Sequence, residues 1–322
     1  MFRKVKLKHQ IVHLKKDSVD ENAFLAADSV GNTTIINQRG EIIREFSFQN
    51  EVNSIDFSYP MARIFIANKE GLTIINFKYE VLRFFESEYL SVIVIKNHFW
   101  AVKYIDEESC QLELYEIKSS KLISSKLIKD LNYNSSFILF PGFNEHSVVL
   151  WLAAGQNGTT SYIINFIEGQ ISINEFPDYD SWPITFLESG SLFSITKPNR
   201  FYKIYHYPSM IEKLSIDLLE NDNLYEEIIN LNSHQLLFHS YDKLEIYNIE
   251  NNTISEVNLF EYNKDPIIEA NSVLDIRLIS FIQKLNDLFI ISCENSELIL
   301  TNLSSFEYRK KGQLKLQWEN SN

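Results

Sequence analysis

The sequence predicts an all-β fold, specifically a seven-bladed β-propeller of four-stranded antiparallel blades. Three observations lead there: a composition rich in strand formers, two landmarks that recur together, and a spacing between copies of about 44 residues. Hydrophobic residues make up 45% of the 322-residue chain, including 23 Phe and 16 Tyr. Aromatic and β-branched side chains favour pleated, half-buried surfaces, so the composition already leans towards strands.

The first landmark is an Ile or Leu two positions before a polar residue. The apolar position is Ile35, Ile74, Leu114, Ile163, Ile204, Ile246 and Leu300, and the polar one is Asn37, Asn76, Glu116, Asn165, His206, Asn248 and Asn302. The second landmark lies upstream of each copy. It is a short apolar run: FLAA from Phe24, IFIA from Ile64, FWAV from Phe99, VVLW from Val148, LFSI from Leu192, LLF from Leu236 and LFII from Leu288. Polar turns such as DSVGN, NKEG and DEESC separate the two, as hairpins require where φ turns positive. A further turn and an alternating run follow each copy, and one more candidate strand precedes it.

Four strands per unit, seven units and this period describe a propeller. Each blade packs both faces on its neighbours, so its inner strands read as near-continuous apolar runs. A lone blade cannot bury two apolar faces, so the blades stabilise one another by stacking. The expected blades span approximately 11–48, 52–85, 90–128, 136–176, 182–218, 225–260 and 273–318, within one domain over residues 1–322. A β-sandwich explains the strands but not the register. The stretch NLYEEIINL also admits a short helix, and the alternating VKLKHQIVHL reads as a first or closing edge strand, where Lys discourages stray pairing.

The pairs Ile36-Asn37, Ile75-Asn76, Tyr115-Glu116, Ile164-Asn165, Tyr205-His206, Tyr247-Asn248 and Thr301-Asn302 end the third strand of each unit. In this the chain resembles the WD-repeat propellers, in degenerate form, over roughly Ile11 to Trp318. The likeness is one of spacing and strand pattern. No unit carries a Trp-Asp pair and no Gly-His dipeptide precedes a first strand, so the hydrogen-bond network that the family implies is absent or rebuilt. Asn at a strand end serves its own turn amides.

Little points to chemistry. The seven histidines form no HExxH pair and no His–Cys set with zinc spacing. His206 stands in the repeat position of Asn and is expected to cap its turn; His234 and His239 flank a strand and are expected half exposed. AAGQNGTT lacks the Lys and the strand-to-helix setting of a phosphate loop and reads as a hairpin turn at Asn157-Gly158. No Gly-x-Ser-x-Gly elbow occurs. No catalytic residue, metal site or cofactor is expected. An enzyme or carbohydrate-binding propeller with a central carboxylate-lined pocket is the alternative, although no pair of acids is singled out.

Net charge is −13 and the pI is about 5.1. That balance argues against a nucleic-acid partner, because neutralising phosphates needs clustered Lys and Arg. Cys110 and Cys293 lack metal-type spacing and are expected as free thiols in a reducing compartment. The N-terminal stretch has no apolar core of signal-peptide length, and no uninterrupted apolar run reaches membrane-spanning length. A cytoplasmic protein with no membrane association is expected.

The charge is unevenly distributed. In a propeller, loops joining one blade to the next share a face with the turns between strands two and three. Those two loop classes together carry about −14, which accounts for the chain's whole net charge. The same loops carry aromatic residues. The expected partner-binding residues are Glu86, Glu88, Tyr89, Tyr133, Asp178, Tyr179, Asp180, Trp182, Tyr225 and Tyr262. Acids with interleaved aromatic anchors suit a basic, partly apolar protein surface, with steering from charge and affinity from rings. The expected function is non-catalytic: an inhibitor or immunity-type protein, or a scaffold subunit.

Overall fold

A computed structural model describes the backbone of residues 2–8, 10–18, 22–48, 50–129, 131, 136–153, 158–176, 183–187, 191–197, 201–217, 225–232, 234–240, 243–251, 253–259, 279–285, 288–293, 297–302, 306–312 and 316–317. By contacts the chain divides into two compact units. One comprises residues 12–37 and 41–186, the other residues 1–11, 38–40 and 187–322.

The strands in chain order begin with β1 (Phe2–Lys6). Four meanders follow: β2 (His13–Lys16), β3 (Ala23–Ala27), β4 (Asn32–Asn37) and β5 (Ile42–Ser47); then β6 (Ser54–Ser58), β7 (Arg63–Ala67), β8 (Gly71–Asn76) and β9 (Val81–Glu86). The next are β10 (Tyr89–Ile95), β11 (His98–Asp106), β12 (Ser109–Glu116) and β13 (Leu122–Ile128), then β14 (Ser136–Pro141), β15 (Ser147–Ala153), β16 (Thr159–Ile167) and β17 (Gln170–Phe176). Two more meanders run through β18 (Thr185–Phe186), β19 (Leu192–Lys197), β20 (Phe201–His206) and β21 (Ile211–Asp217), and through β22 (Tyr225–Asn232), β23 (Gln235–Ser240), β24 (Lys243–Asn248) and β25 (Thr253–Leu259). The last strands are β26 (Ile279–Leu285), β27 (Leu288–Cys293), β28 (Glu297–Asn302), β29 (Phe306–Gly312) and β30 (Leu316–Gln317).

These strands make antiparallel sheets, five of them with the four strands expected and two with a fifth strand added. The expected count of seven consecutive blades needs correction. Six sheets contain an unbroken run of four consecutive strands, β2 to β5 through β22 to β25. The expected last blade, 273–318, does not form from its own segment. Its β26, β27 and β28 take β1 as fourth strand, with Phe2 opposite Thr301 and Lys6 opposite Glu297. Its β29 and β30 pair instead with β25 and β21. Six blades are thus single runs of chain, not seven. FRKVK of β1 satisfies the outer edge of β28, so the chain after β28 is left to cover other edges. The VKLKHQIVHL stretch is not one strand: Val5 and Lys6 end the edge strand β1, and His13 and Leu14 begin β2. Tyr225 to Leu231 of the NLYEEIINL segment lie in strand β22, so these residues are not helical.

The landmark positions fall where the repeat put them. All seven Ile or Leu positions lie in third strands and are at most 6% exposed. Burial also explains the apolar runs. Within residues 12–186, Ile64 and Ile66 of β7 pack with Leu25, Ile35 and Phe57, while Phe65 and Ala67 on the other face pack with Val92, Phe99 and Ala101. Alternate side chains of one strand thus enter two different cores. Fourth strands read differently, and β9 is almost wholly exposed.

First strands are joined across blades by side chains. Ser54 Oγ donates to Val92 O and accepts from Val92 N, both at 3.2 Å, and Leu139 N donates to Ser91 Oγ at 3.1 Å. Val94 N donates to Asp56 Oδ2 at 2.8 Å.

Candidate functional site

The loops named by sequence can be placed in the unit of residues 12–186. Turns between second and third strands are built by one Asx residue each. Asp28 Oδ1 accepts from Val30 N and Asn32 N at 3.0 and 2.8 Å; Asn68 Oδ1 accepts from Glu70 N and Gly71 N at 3.0 and 2.8 Å. Asp106 Oδ1 accepts from Glu108 N at 3.0 Å. The Ser109 hydroxyl and that amide hold the Asp106 carboxyl below its ordinary value. Asp28 and Asp106, read from sequence as face charges, are therefore also turn caps.

The loops between blades lie against these turns. Val52 N donates to Ser29 O at 3.1 Å and Asn53 N to Ala67 O at 3.0 Å. Tyr89 N donates to Asn68 O, Tyr104 N to Glu88 O, and Leu131 N to Glu108 O, at 2.9 to 3.0 Å. The two loop classes therefore do lie together, as a propeller demands. Glu51 and Lys69 approach to 3.8 Å and remain largely exposed. A shallow groove of about 280 Å³ runs between Asn50-Glu51 and Asn68-Lys69-Glu70.

Of the ten expected partner-binding residues, three are fully described. Glu86 is exposed and Glu88 half-buried. Tyr89 is a correction. It is 2% exposed, and its hydroxyl donates to Glu113 Oε2 at 2.9 Å, alongside Tyr115 at 2.6 Å. An aromatic ring at the start of a first strand points into the interblade core, so it cannot anchor a partner. Tyr225 begins β22, and its side chain lies outside the described residues, as do Tyr133, Asp178, Tyr179, Asp180, Trp182 and Tyr262.

Three of the repeat Asn positions serve turns. Asn37 Oδ1 accepts from Glu41 N at 3.0 Å, and Asn76 Oδ1 from Lys78 N and Glu80 N at 2.8 and 3.0 Å. Asn248 Oδ1 accepts from Glu250 N and Asn251 N at 3.0 and 3.2 Å. His206 keeps the role with a ring nitrogen 3.1 Å from Ser209 Oγ. His234 is exposed beside Glu250, whereas His239 is buried, and burial lowers its pKa to about 4. Its position within β23 is the reason. Cys110 is a buried free thiol whose pKa burial pushes up to about 12.

Sequence reasoning missed the buried acids. Asp56 is 3% exposed, and its oxygens accept from Phe57 N and Val94 N, both at 2.8 Å. Burial raises its pKa to about 7, against the pull of Lys15 and of these amides. The SIDFS pattern, with Asp inside an apolar first strand, was the available signal. Because main-chain donors occupy both oxygens, the arrangement is structural. Glu113 likewise collects two tyrosine hydroxyls. Among the described residues no group of three or more metal-ligating side chains is gathered, and no helix is long and apolar enough to cross a membrane.

Solved structures with this architecture include the β-propeller domain of Cps50 (Swd1) from Myceliophteria thermophila. It aligns with a TM-score of 0.63 at 9% identity, over 94% of this chain and 100% of that one. Hydrazine synthase from Kuenenia stuttgartiensis aligns with a TM-score of 0.55 at 10% identity, over 76% of this chain and 79% of that one. The fold is a β-propeller of four-stranded antiparallel blades. No family model matches the chain. No curated protein matches it in sequence.

Proposed function

We propose that the chain is a non-catalytic protein-interaction propeller whose interblade loops dock a basic protein partner. The observation that carries the reading is the loop set in residues 12–186. Glu51, Glu70, Glu86, Glu88, Glu107 and Glu108 share these loops with only Lys69 and Lys129 as bases. Six acids in these loops steer a basic surface and favour encounter more than final affinity. The buried Asp28, Asp56 and Glu113 support the same reading, since main-chain or tyrosine donors occupy them. WD-repeat-like propellers provide such a scaffold, and an inhibitor or a scaffold subunit of a larger assembly both fit. The aromatic anchors proposed with the acids are Trp182, Tyr133, Tyr179, Tyr225 and Tyr262, without Tyr89.

The test is parallel capture from the native host with the wild-type chain and a variant carrying charge reversal at Glu86, Glu88, Asp178 and Asp180. A basic partner recovered by the wild type is expected to be lost or weakened with the variant, and residual binding to become less salt-sensitive. Equal recovery of the same partner by both chains would remove the proposal.

A further inference from the structure

Outer edges of propeller blades expose unpaired main-chain groups, and proteins cover or charge such edges to avoid stray pairing. This chain treats its edges unequally. The edge of β25 is covered by β29, with Glu256 opposite Arg309 in register, and that of β21 by β30 at Ser215 and Ile216. The edge of β5 is bridged by one side chain: Ser47 N donates to Tyr79 Oη at 2.9 Å, and Tyr79 Oη donates to Glu45 O at 3.2 Å. The centre of β13 is Ser124-Ser125-Lys126, although Leu122, Ile123 and Leu127 are exposed on it too, and β17 carries Asn174-Glu175.

Among the described residues no strand and no bridging side chain covers the outer strand β9, whose only charges are Arg83 and Glu86. Its sequence is VLRFFE, and Val81, Leu82 and Phe84 are 63%, 44% and 50% exposed. The edge is held rigid from behind. The Phe84 ring lies against Gly71 so closely that a methyl there would fall 2.3 Å from its Cε2. A bulge at Leu82 interrupts the pairing with β8, leaving Arg83–Glu86 regular. The strand β21 carries a comparable bulge and still accepts β30 beyond it. The regular part of β9 runs directly into Glu86 and half-buried Glu88.

We infer that the outer edge of β9 at Arg83–Glu86 is a docking site for an extended segment of a protein partner, added as an antiparallel fifth strand. Main-chain hydrogen bonds supply affinity in such additions, and side chains supply specificity. Antiparallel addition places the segment's N-terminal end at Glu86 and Glu88, so the segment is basic first and then alternately apolar. The exposed Phe84 ring offers its apolar contact. This site goes beyond the loop reading and meets it only at the two glutamates.

The experiment uses the full chain and a blocked synthetic peptide of two lysines followed by alternating valine and threonine. Backbone amide exchange in β9 is expected to slow on adding peptide. Phe84→Lys, checked for unchanged thermal unfolding, is expected to weaken binding about tenfold or more, and so is the pair Glu86→Lys with Glu88→Lys. A peptide with two glutamates in place of the lysines is expected to bind as weakly as that pair. The inference is overturned by protection elsewhere with β9 unchanged, or by equal affinity in both variants. It is also overturned if sedimentation velocity shows that a second copy already covers β9. Charge reversal at Glu51 and Glu70 alone affects the loop reading and leaves this edge intact, so the two fail separately.

Discussion

A buried carboxylate in an apolar strand is the residue-scale feature with the clearest consequence. Asp56 receives two main-chain amides, one of which belongs to the first strand of the next blade. Burial raises its carboxyl to about 7. For a raised acid, the stability tied to the neutral form is complete below about pH 4 and is lost as pH rises through about 7. Melting temperature is therefore expected to fall between about pH 4 and 7, and Asp56→Asn to flatten that slope; equal slopes in both proteins would contradict this role. Glu113 makes a second prediction. Its removal as Glu113→Ala strands the hydroxyls of Tyr89 and Tyr115 and is expected to cost roughly 2–4 kcal/mol in urea unfolding, against about 1 for Tyr115→Phe. Neither residue was legible in the sequence as a buried acid. Position within a strand can be read from pattern, but the partner that satisfies a buried group comes from the neighbouring blade.

At the scale of the element, the third strands were legible and the outer strands were not. Ile35, Ile74 and Ile246 recur because two cores must be filled on every inner strand, and that demand writes a pattern. Asn76 recurs because its turn needs acceptors for Lys78 N and Glu80 N. Edges have no such shared demand. Those of β5, β25 and β21 are finished by whatever lies near, Tyr79, β29 or β30, so no repeat announces them. The close contact between β8 and β9 makes a test at this scale. Gly71→Ala places a methyl 2.3 Å from Phe84 Cε2 and 2.6 Å from Phe85 O, and the carbonyl cannot step aside. A loss of about 1–3 kcal/mol is expected in chemical denaturation, as for overpacked sites. Full stability of Gly71→Ala would show that β9 is not seated as described. Phe65→Ala empties a core between blades and is expected to cost about 3–5 kcal/mol.

Over the whole molecule, the sequence conveyed the architecture because stacking of blades requires repetition, and it misassigned the fourth strand of the last blade because that sheet is completed by β1 from the other end of the chain. Pairing at such separation leaves no local trace. The candidate site was legible only as charge. Acid content in the loops of residues 12–186 could be counted, whereas burial of Tyr89 and the capping work of Asp28 and Asp106 required the strands to be in place. Fold likeness at 9% and 10% identity does not separate binding from catalysis, since the similar structures include a propeller domain and an enzyme. Binding to the recovered partner, measured against salt for the wild type and for the chain reversed at Glu86, Glu88, Asp178 and Asp180, tests the central claim most directly. The account predicts steep salt dependence in the wild type, with a weaker affinity and a shallower slope in the variant. Identical affinity and slope in the two proteins would contradict it.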